Sequence, residues 1–292
     1  WCMQLVEIKV EIALDQVETV DDMLLEAEAT GWNVQEDVLA GRAWLAGIFE
    51  GGEKADEEWS QLALLLPKEL AGSPERRVLE DGDWRDSYKA HFKAWQFGRL
   101  HWVPVWERES FALPEGHEVL WLDPGLAFGT GNHETTRLCV ERLVAWTEAR
   151  GTTGRVIDAG CGSGILALSA AKLGFERVYG FDNDEEAIRV SEENAADNEL
   201  SGSVEFATGD LITGLAGRQA DLVLANILAN ILTQFVDQLT AAVAPKGQLV
   251  LSGILATESE HVREVFSKAV PSWTSEIRTM GEWSDVVLTR QD

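Results

Sequence analysis

The chain has 292 residues, 45% apolar and 25% charged, a globular mix long enough for two domains and unlike disordered, collagen-like or fibrous chains. Its 24 basic and 50 acidic side chains give a net charge of −26. Residues 1–80 carry 18 acidic and 6 basic side chains (−12), residues 81–131 carry 8 and 5 (−3), and residues 132–292 carry 24 and 13 (−11). No segment is basic, which speaks against direct grip on a nucleic-acid backbone. The acid suits either a basic partner or solubility alone. No uncharged apolar run reaches the ~18 residues of a membrane helix. No signal-peptide pattern is read, although the chain begins at Trp1 and its native start is left open. Cys2, Cys139 and Cys161 are far apart, without zinc or disulfide spacing, as expected in a reducing cytoplasm.

In chain order, Gln4–Ile12 alternates as a strand and Thr19–Thr30 has apolar residues at helical spacing, with Gly31 as a stop. Trp32–Glu36 and Arg42–Phe49 read as paired strands around Leu39-Ala40-Gly41. Glu53–Leu66 reads as a helix that meets Pro67, and Arg76–Glu80 as a closing strand. This order is the ferredoxin-like split pattern. Asp83–Phe97 reads as a connecting helix, because Trp84, Tyr88, Phe92 and Trp95 share one helical face before Gly98. Tryptophans of this region are expected to pack between domains or to line a substrate mouth. Arg99–Glu107 and Glu118–Asp123 then read as strands.

From Thr136 onward helix and strand alternate. Helices are expected over Arg137–Trp146, Ile165–Leu173, Asp184–Asn198, Ile231–Val243 and Glu258–Ala269. Strands are expected over Arg155–Ala159, Arg177–Phe181, Val204–Ala207, Asp221–Ala225 and Gln248–Gly253, with a closing antiparallel hairpin near Thr274–Thr279 and Ser284–Thr289. Such alternation predicts a parallel sheet with helices on both faces. The predicted division is residues 1–80 as a small α+β ferredoxin-like domain, 81–116 as a connecting region and 117–292 as a doubly wound α/β domain.

The strongest chemical signal runs from Val156 to Leu166: an apolar strand, a loop with Gly160, Gly162 and Gly164, then a helix. Gly160 and Gly162 permit a sharp turn and close backbone approach to a ligand. A dinucleotide fingerprint would want a third glycine at position 165, which is Ile, so a pyrophosphate binder is disfavoured. Asp182 ends the next strand, 22 residues after Gly160, where an acid can accept both ribose hydroxyls of an adenosine. Asp184 reads as a helix cap. Asp210 is either an adenine contact or a solvated loop acid. The Pro/Gly-rich stretch Asp123–Thr136 ends at a helix start and suits a carboxylate. His133 is a general-base candidate or a loop histidine bonded to backbone, and Cys161 is explained by small size.

Asp158-x-Gly160-x-Gly162-x-Gly164 with Asp182 resembles the class I S-adenosylmethionine-dependent methyltransferases. The loop Asp123-Pro124-Gly125-Leu126-Ala127-Phe128-Gly129-Thr130-Gly131-Asn132-His133-Glu134-Thr135-Thr136 resembles that of the bacterial methyltransferases that modify protein eleven of the large ribosomal subunit. Leu224–Ala229 and the stretch Trp84–Trp106 also resemble that family. The resemblance is close over about the last two hundred residues; the first eighty match in predicted architecture more than in letters. It implies a seven-stranded, mostly parallel Rossmann-like sheet with S-adenosylmethionine as cofactor. It places Thr136, Gly160, Asp182 and Asn226 on the family's cofactor-contacting positions. The family usually has Thr at Asn132 and Pro at Glu134, departures that leave room for a different protein substrate.

The expectation is therefore a cytoplasmic protein N-methyltransferase acting on lysine or N-terminal amino groups of large-subunit ribosomal protein eleven, with neither nucleic acid nor membrane as partner. Thr136, Gly160, Gly162, Asp182 and Asn226 are the cofactor residues. Asn226 also positions the acceptor: its side-chain oxygen, or the carbonyl of the following residue, can take an amine N–H, unless it serves the cofactor alone. The rivals are a methyltransferase for another protein or a small molecule, a NAD-dependent oxidoreductase, and an adenosine-binding module without activity.

Overall fold

The computed structural model describes residues 5–26, 29, 31–37, 42–66, 74–79, 94–123 and 134–292. The chain forms two compact units, Trp1–His91 and Phe92–Asp292.

In the first unit, β1 (Leu5–Ile12), α1 (Val17–Glu26), β2 (Trp32–Asp37), β3 (Arg42–Glu50), α2 (Gly52–Ala63) and β4 (Glu75–Leu79) follow one another. The strands lie in the order β2-β3-β1-β4, all antiparallel, which is the ferredoxin-like arrangement. Alternation decides the faces: Val6, Ile8 and Ile12 of β1 and Ala43, Leu45 and Phe49 of β3 are buried with Val20 of α1 and Trp59 of α2. Trp32 packs on Phe49 and Trp59, with ring centroids 4.9 and 6.0 Å away. On the opposite face Lys9 and Arg42 lie against the Trp44 ring, 4.5 and 5.0 Å from its centroid.

The second unit opens with a small sheet of β5 (Trp95–Phe97), β6 (Leu100–Pro104) and β7 (Glu118–Leu122). β5 corrects the expected helix over Asp83–Phe97 at its end. Gly98, at φ 55°, turns the chain, and Trp95 and Phe97 pair with Trp102 and Leu100. Strand pairing and the Phe97–Trp102 contact at 4.8 Å outweigh the helical spacing of the aromatics. Residues 83–93 of that predicted helix lie outside the described residues, as do Leu39-Ala40-Gly41 and residues 124–133 of the Pro/Gly-rich loop. The strand expected over Arg99–Glu107 stops at Pro104, where a 3-10 turn (Val105–Glu107) begins.

The main sheet has the order β10-β9-β8-β11-β12-β14-β13. Its strands are β8 (Arg155–Ala159), β9 (Arg177–Asp182), β10 (Val204–Thr208), β11 (Ala220–Asn226), β12 (Val243–Leu255), β13 (Thr274–Met280) and β14 (Trp283–Thr289). The first five in that order are parallel, and the β13–β14 hairpin is antiparallel at one edge. The helices are α3 (Glu134–Arg150), α4 (Ile165–Lys172), α5 (Glu185–Asp197), α6 (Ala229–Gln234), α7 (Val236–Ala241) and α8 (Ser259–Ala269). Residues of α3 and α4 bury one face of the sheet, and residues of α6, α7 and α8 bury the other. Both faces being covered, β8 and β11 read as apolar runs without alternation.

The single helix expected over Ile231–Val243 is two short ones, broken at Phe235 (φ −112°, ψ 33°). Val243 already belongs to β12, paired with Ala220, and Pro245 removes the amide that would continue a helix. The strand order reverses between β8 and β11, so their carboxyl ends flank the crevice where ligands bind in such sheets.

Candidate active site

All five candidate residues lie in the second unit, at the carboxyl ends of β8, β9 and β11 and at the first turn of α3. β8 delivers Asp158 and then Gly160. Gly160 has φ 71°, and a Cβ on it would lie 2.7 Å from Ile227 Cγ2, just past β11, so only glycine lets the two segments meet. The Gly160 and Cys161 amides both donate to the Phe181 carbonyl (2.9 Å), which ties the loop to β9.

Asp182 closes the turn from the other side. Its Oδ2 accepts from the Gly162 amide (2.9 Å), and its Oδ1 accepts from the Asp184 amide (3.1 Å). Each oxygen keeps a further lone pair for a ligand. Asp184 is the cap of α5, accepting from the Glu186 amide at 2.9 Å. The same helix holds the loop's carbonyls: Ser191 Oγ donates to Gly162 (2.8 Å) and Asn194 Nδ2 to Ser163 (2.9 Å). Neither residue stands out in the sequence, because each lies on the buried side of an amphipathic helix where small polar side chains are common.

Asp158 is 1% exposed. Its Oδ2 accepts from the Ala167 amide in the first turn of α4 (3.0 Å), and among the described residues its Oδ1 has no partner. Burial pushes its carboxyl up to about 7, against the Ala167 amide and with help from the nearby Asp182 charge. Burial likewise raises the Cys161 thiol, which is therefore no ready nucleophile. Asp210 is exposed, and its Oδ1 accepts from the Ile212 and Thr213 amides and the Thr213 hydroxyl, building its own turn. Those bonds hold its carboxyl below the usual range.

At the end of β11, Asn226 Nδ2 donates to Thr136 Oγ1 at 3.3 Å, which leaves Oδ1 as an acceptor. Thr136 is 3% exposed in the first turn of α3. Ser252 of β12 fixes that turn, its Oγ donating to the Thr135 carbonyl (3.0 Å). Ser252 and Gly253, absent from the sequence-based site, are marked there only by a small polar residue and a glycine ending an apolar strand. His133 lies outside the described residues. A cavity of about 500 Å³ at the amino-terminal strand ends is lined by Arg155, Arg177, Tyr179 and Arg218. There Arg218 covers the Tyr179 ring and pairs with Glu205 (2.8 Å). It lies at the wrong end of the sheet for the site.

A glycine loop anchored by an acid, beside an amide with a directed oxygen, can hold an adenosine compound and orient an amine. A family model described as Ribosomal protein L11 methyltransferase (PrmA) matches residues 4–291. A ribosomal protein L11 methyltransferase of Pseudomonas paraeruginosa is 40% identical over 283 residues, covering 91% of this chain and 92% of that protein. One from Azotobacter vinelandii is 38% identical over 284 residues, covering 91% and 93%. The crystal structure of a ribosomal protein L11 methylase from Lactobacillus delbrueckii subsp. bulgaricus superposes with a TM-score of 0.60 at 32% identity. That superposition covers 69% of this chain and all of the other.

Proposed function

The chain belongs to the ribosomal protein L11 methyltransferase family, and from that premise we propose that it methylates lysine or N-terminal amino groups of ribosomal protein L11, using S-adenosylmethionine. The observation that carries the reading is the meeting, at the carboxyl ends of the central strands, of the glycine loop, Asp182 and the Asn226–Thr136 pair. The residues fit the cofactor: a loop whose positive-φ Gly160 and Gly162 present bare backbone, and a buried Asp158 oxygen that no described group satisfies. Asp182 suits the ribose hydroxyls, Gly160 and Gly162 the close backbone approach, and Thr136 the helix start beside a carboxylate. When bound, S-adenosylmethionine supplies a methyl group on a sulfonium: the C–S bond breaks, a C–N bond forms at the acceptor, and the bonding pair stays on sulfur.

The protein's own task is the amine. A lysine with an ordinary pKa needs about 4.6 kcal/mol to lose its proton at pH 7. A desolvated crevice favours the neutral form, and the displaced proton goes to solvent. Asn226 Oδ1 and the Ile227 carbonyl accept the two N–H groups of the amine, leaving its lone pair free to attack. Residues 1–80 serve as the recognition domain, whose −12 charge complements a basic substrate. A cytoplasmic location goes with this reading.

The test uses the full chain with radiolabelled S-adenosylmethionine and purified ribosomal proteins, followed by mass spectrometry of the labelled product. Label on L11 is expected. Label confined to another protein or a small molecule would replace the substrate. Cofactor binding without transfer would reduce the chain to a binding module.

A further inference from the structure

β12 does not run straight past the site. Against β14 its partners step from Leu251–Val286 to Ile254–Ser284, so Ser252 and Gly253 together face Asp285. Two residues opposite one is a bulge, which bends a strand and re-aims what it carries. Gly253 has φ 81°, and a Cβ on it would lie 2.6 Å from the Ile227 carbonyl oxygen and 2.9 Å from its carbon. The pairing of β11 with β12 ends at Asn226–Ser252. The Ile227 amide still donates to the Ser252 carbonyl (3.1 Å), but among the described residues no amide returns to the Ile227 carbonyl. In an unbroken parallel ladder the amide of Ile254 would take it.

The same bulge reaches the other acceptor. Ser252 Oγ holds the Thr135 carbonyl at 3.0 Å, and the adjacent Thr136 hydroxyl receives Asn226 Nδ2. Opposite the bulge, Asp285 is fully buried, with Arg142 donating to both its oxygens at 2.8 Å, so the register behind the site is pinned.

We infer that the Ser252–Gly253 bulge is the positioning element for the acceptor amine, with Gly253 keeping the Ile227 carbonyl out of the sheet ladder and Ser252 steadying Asn226 through the first turn of α3. The inference rests on the methyltransferase reading above. A neutral primary amine has two N–H groups and one lone pair, so two fixed acceptors orient it with the lone pair outward. Any side chain at position 253 displaces one of those acceptors first, while the Asp182–Gly162 bond has no contact with it and the glycine loop feels it only through Gly160 against Ile227.

The experiment compares the full chain with its Gly253→Ala, Gly253→Asn and Gly217→Ala variants. It uses calorimetric titration with S-adenosylmethionine and single-turnover methylation of ribosomal protein L11 at saturating cofactor. Asn tolerates the left-handed region, so it keeps the test open if Ala prevents folding. Gly217 controls for backbone strain, since it has φ 68° and nothing within 4 Å of an added Cβ. Both Gly253 variants should slow single turnover at saturating cofactor by about tenfold or more, because a misplaced acceptor loses rate steeply, a loss that added cofactor does not restore. Gly217→Ala should leave the rate unchanged. If no Gly253 variant folds, Ser252→Ala should still lower the single-turnover rate at saturating cofactor, a loss that added cofactor does not restore. A normal rate at saturating cofactor in folded variants, or a slow rate that added cofactor restores, would overturn the assignment. An unaltered chain that transfers no methyl group to L11 would sink the functional reading and the bulge assignment together. An active chain with unaffected variants would sink the bulge assignment alone.

Discussion

Asp182 does two jobs at the glycine loop. It bonds the Gly162 amide, and it offers its remaining lone pairs to a ligand. Asp182→Ala is expected to weaken S-adenosylmethionine binding by roughly 2–3 kcal/mol through lost charge-assisted bonds. Calorimetric titration of the folded variant reads this, and unchanged affinity would move the ribose elsewhere. Asp158 differs because it is buried with one oxygen unpartnered. With its carboxyl raised to about 7, the protonated form suits the fold. Its stabilising contribution is complete below about pH 4 and is lost as pH rises through about 7. Asp158→Asn, which cannot ionise, should flatten that dependence. Melting temperature measured from about pH 5 to about pH 7.5 should fall less in the variant than in the unaltered chain. Parallel curves would show that Asp158 does not titrate in this window.

At the scale of elements, α3 is fastened to the edge hairpin by charge as well as by packing. Arg142 reaches from α3 to the fully buried Asp285 of β14 and to Glu276 of β13, while Arg278 pairs with both Glu141 (2.8 Å) and Asp285 (3.2 Å). Arg142→Leu removes two charge-assisted bonds from the buried Asp285 but leaves it the Arg278 pair, so it is expected to destabilise the chain by about 2–3 kcal/mol in urea unfolding. The double variant Arg142→Leu/Asp285→Leu should recover much of that loss, since replacing both charges removes the desolvation penalty. A double variant no better than the single one would mean that packing, and not charge, makes the contact.

For the whole molecule, we propose that the site transfers the methyl group and the acidic residues 1–80 recognise the substrate. A protein of residues 81–292 contains the glycine loop, Thr136, Asp182 and Asn226, and should still bind S-adenosylmethionine. It should lose most activity on intact ribosomal protein L11, because a lone lysine offers little binding energy and remote contacts position it. The −12 of residues 1–80 should make methylation by the full chain fall with ionic strength as screening shortens the steering field. Rates against salt for both proteins test this. Equal rates on the intact substrate would remove the first unit from recognition.

Much of this was legible in the sequence wherever the signal is local. Alternation in β1 and β3, the Asp184 cap and the strand–glycine loop–helix run from Val156 to Leu166 each depend on neighbours within a few residues. The order of strands and helices after Thr136 carries the doubly wound sheet for the same reason. Elements decided by distant partners were not legible. Trp95 continues the helical spacing of Trp84, Tyr88 and Phe92, yet Trp95–Phe97 is a strand because it pairs with β6, which β7 in turn pairs from the other side. The helix expected to reach Val243 stops early because that residue pairs with Ala220. In the site, the sequence by itself determined which residues are chemically able: the flexible glycines, the acid ending β9 and the amide ending β11. Only the tertiary structure decided that Ser252 and Gly253 stand behind Asn226 and Ile227. A bulge is a mismatch of register between two strands, and no single strand contains that information.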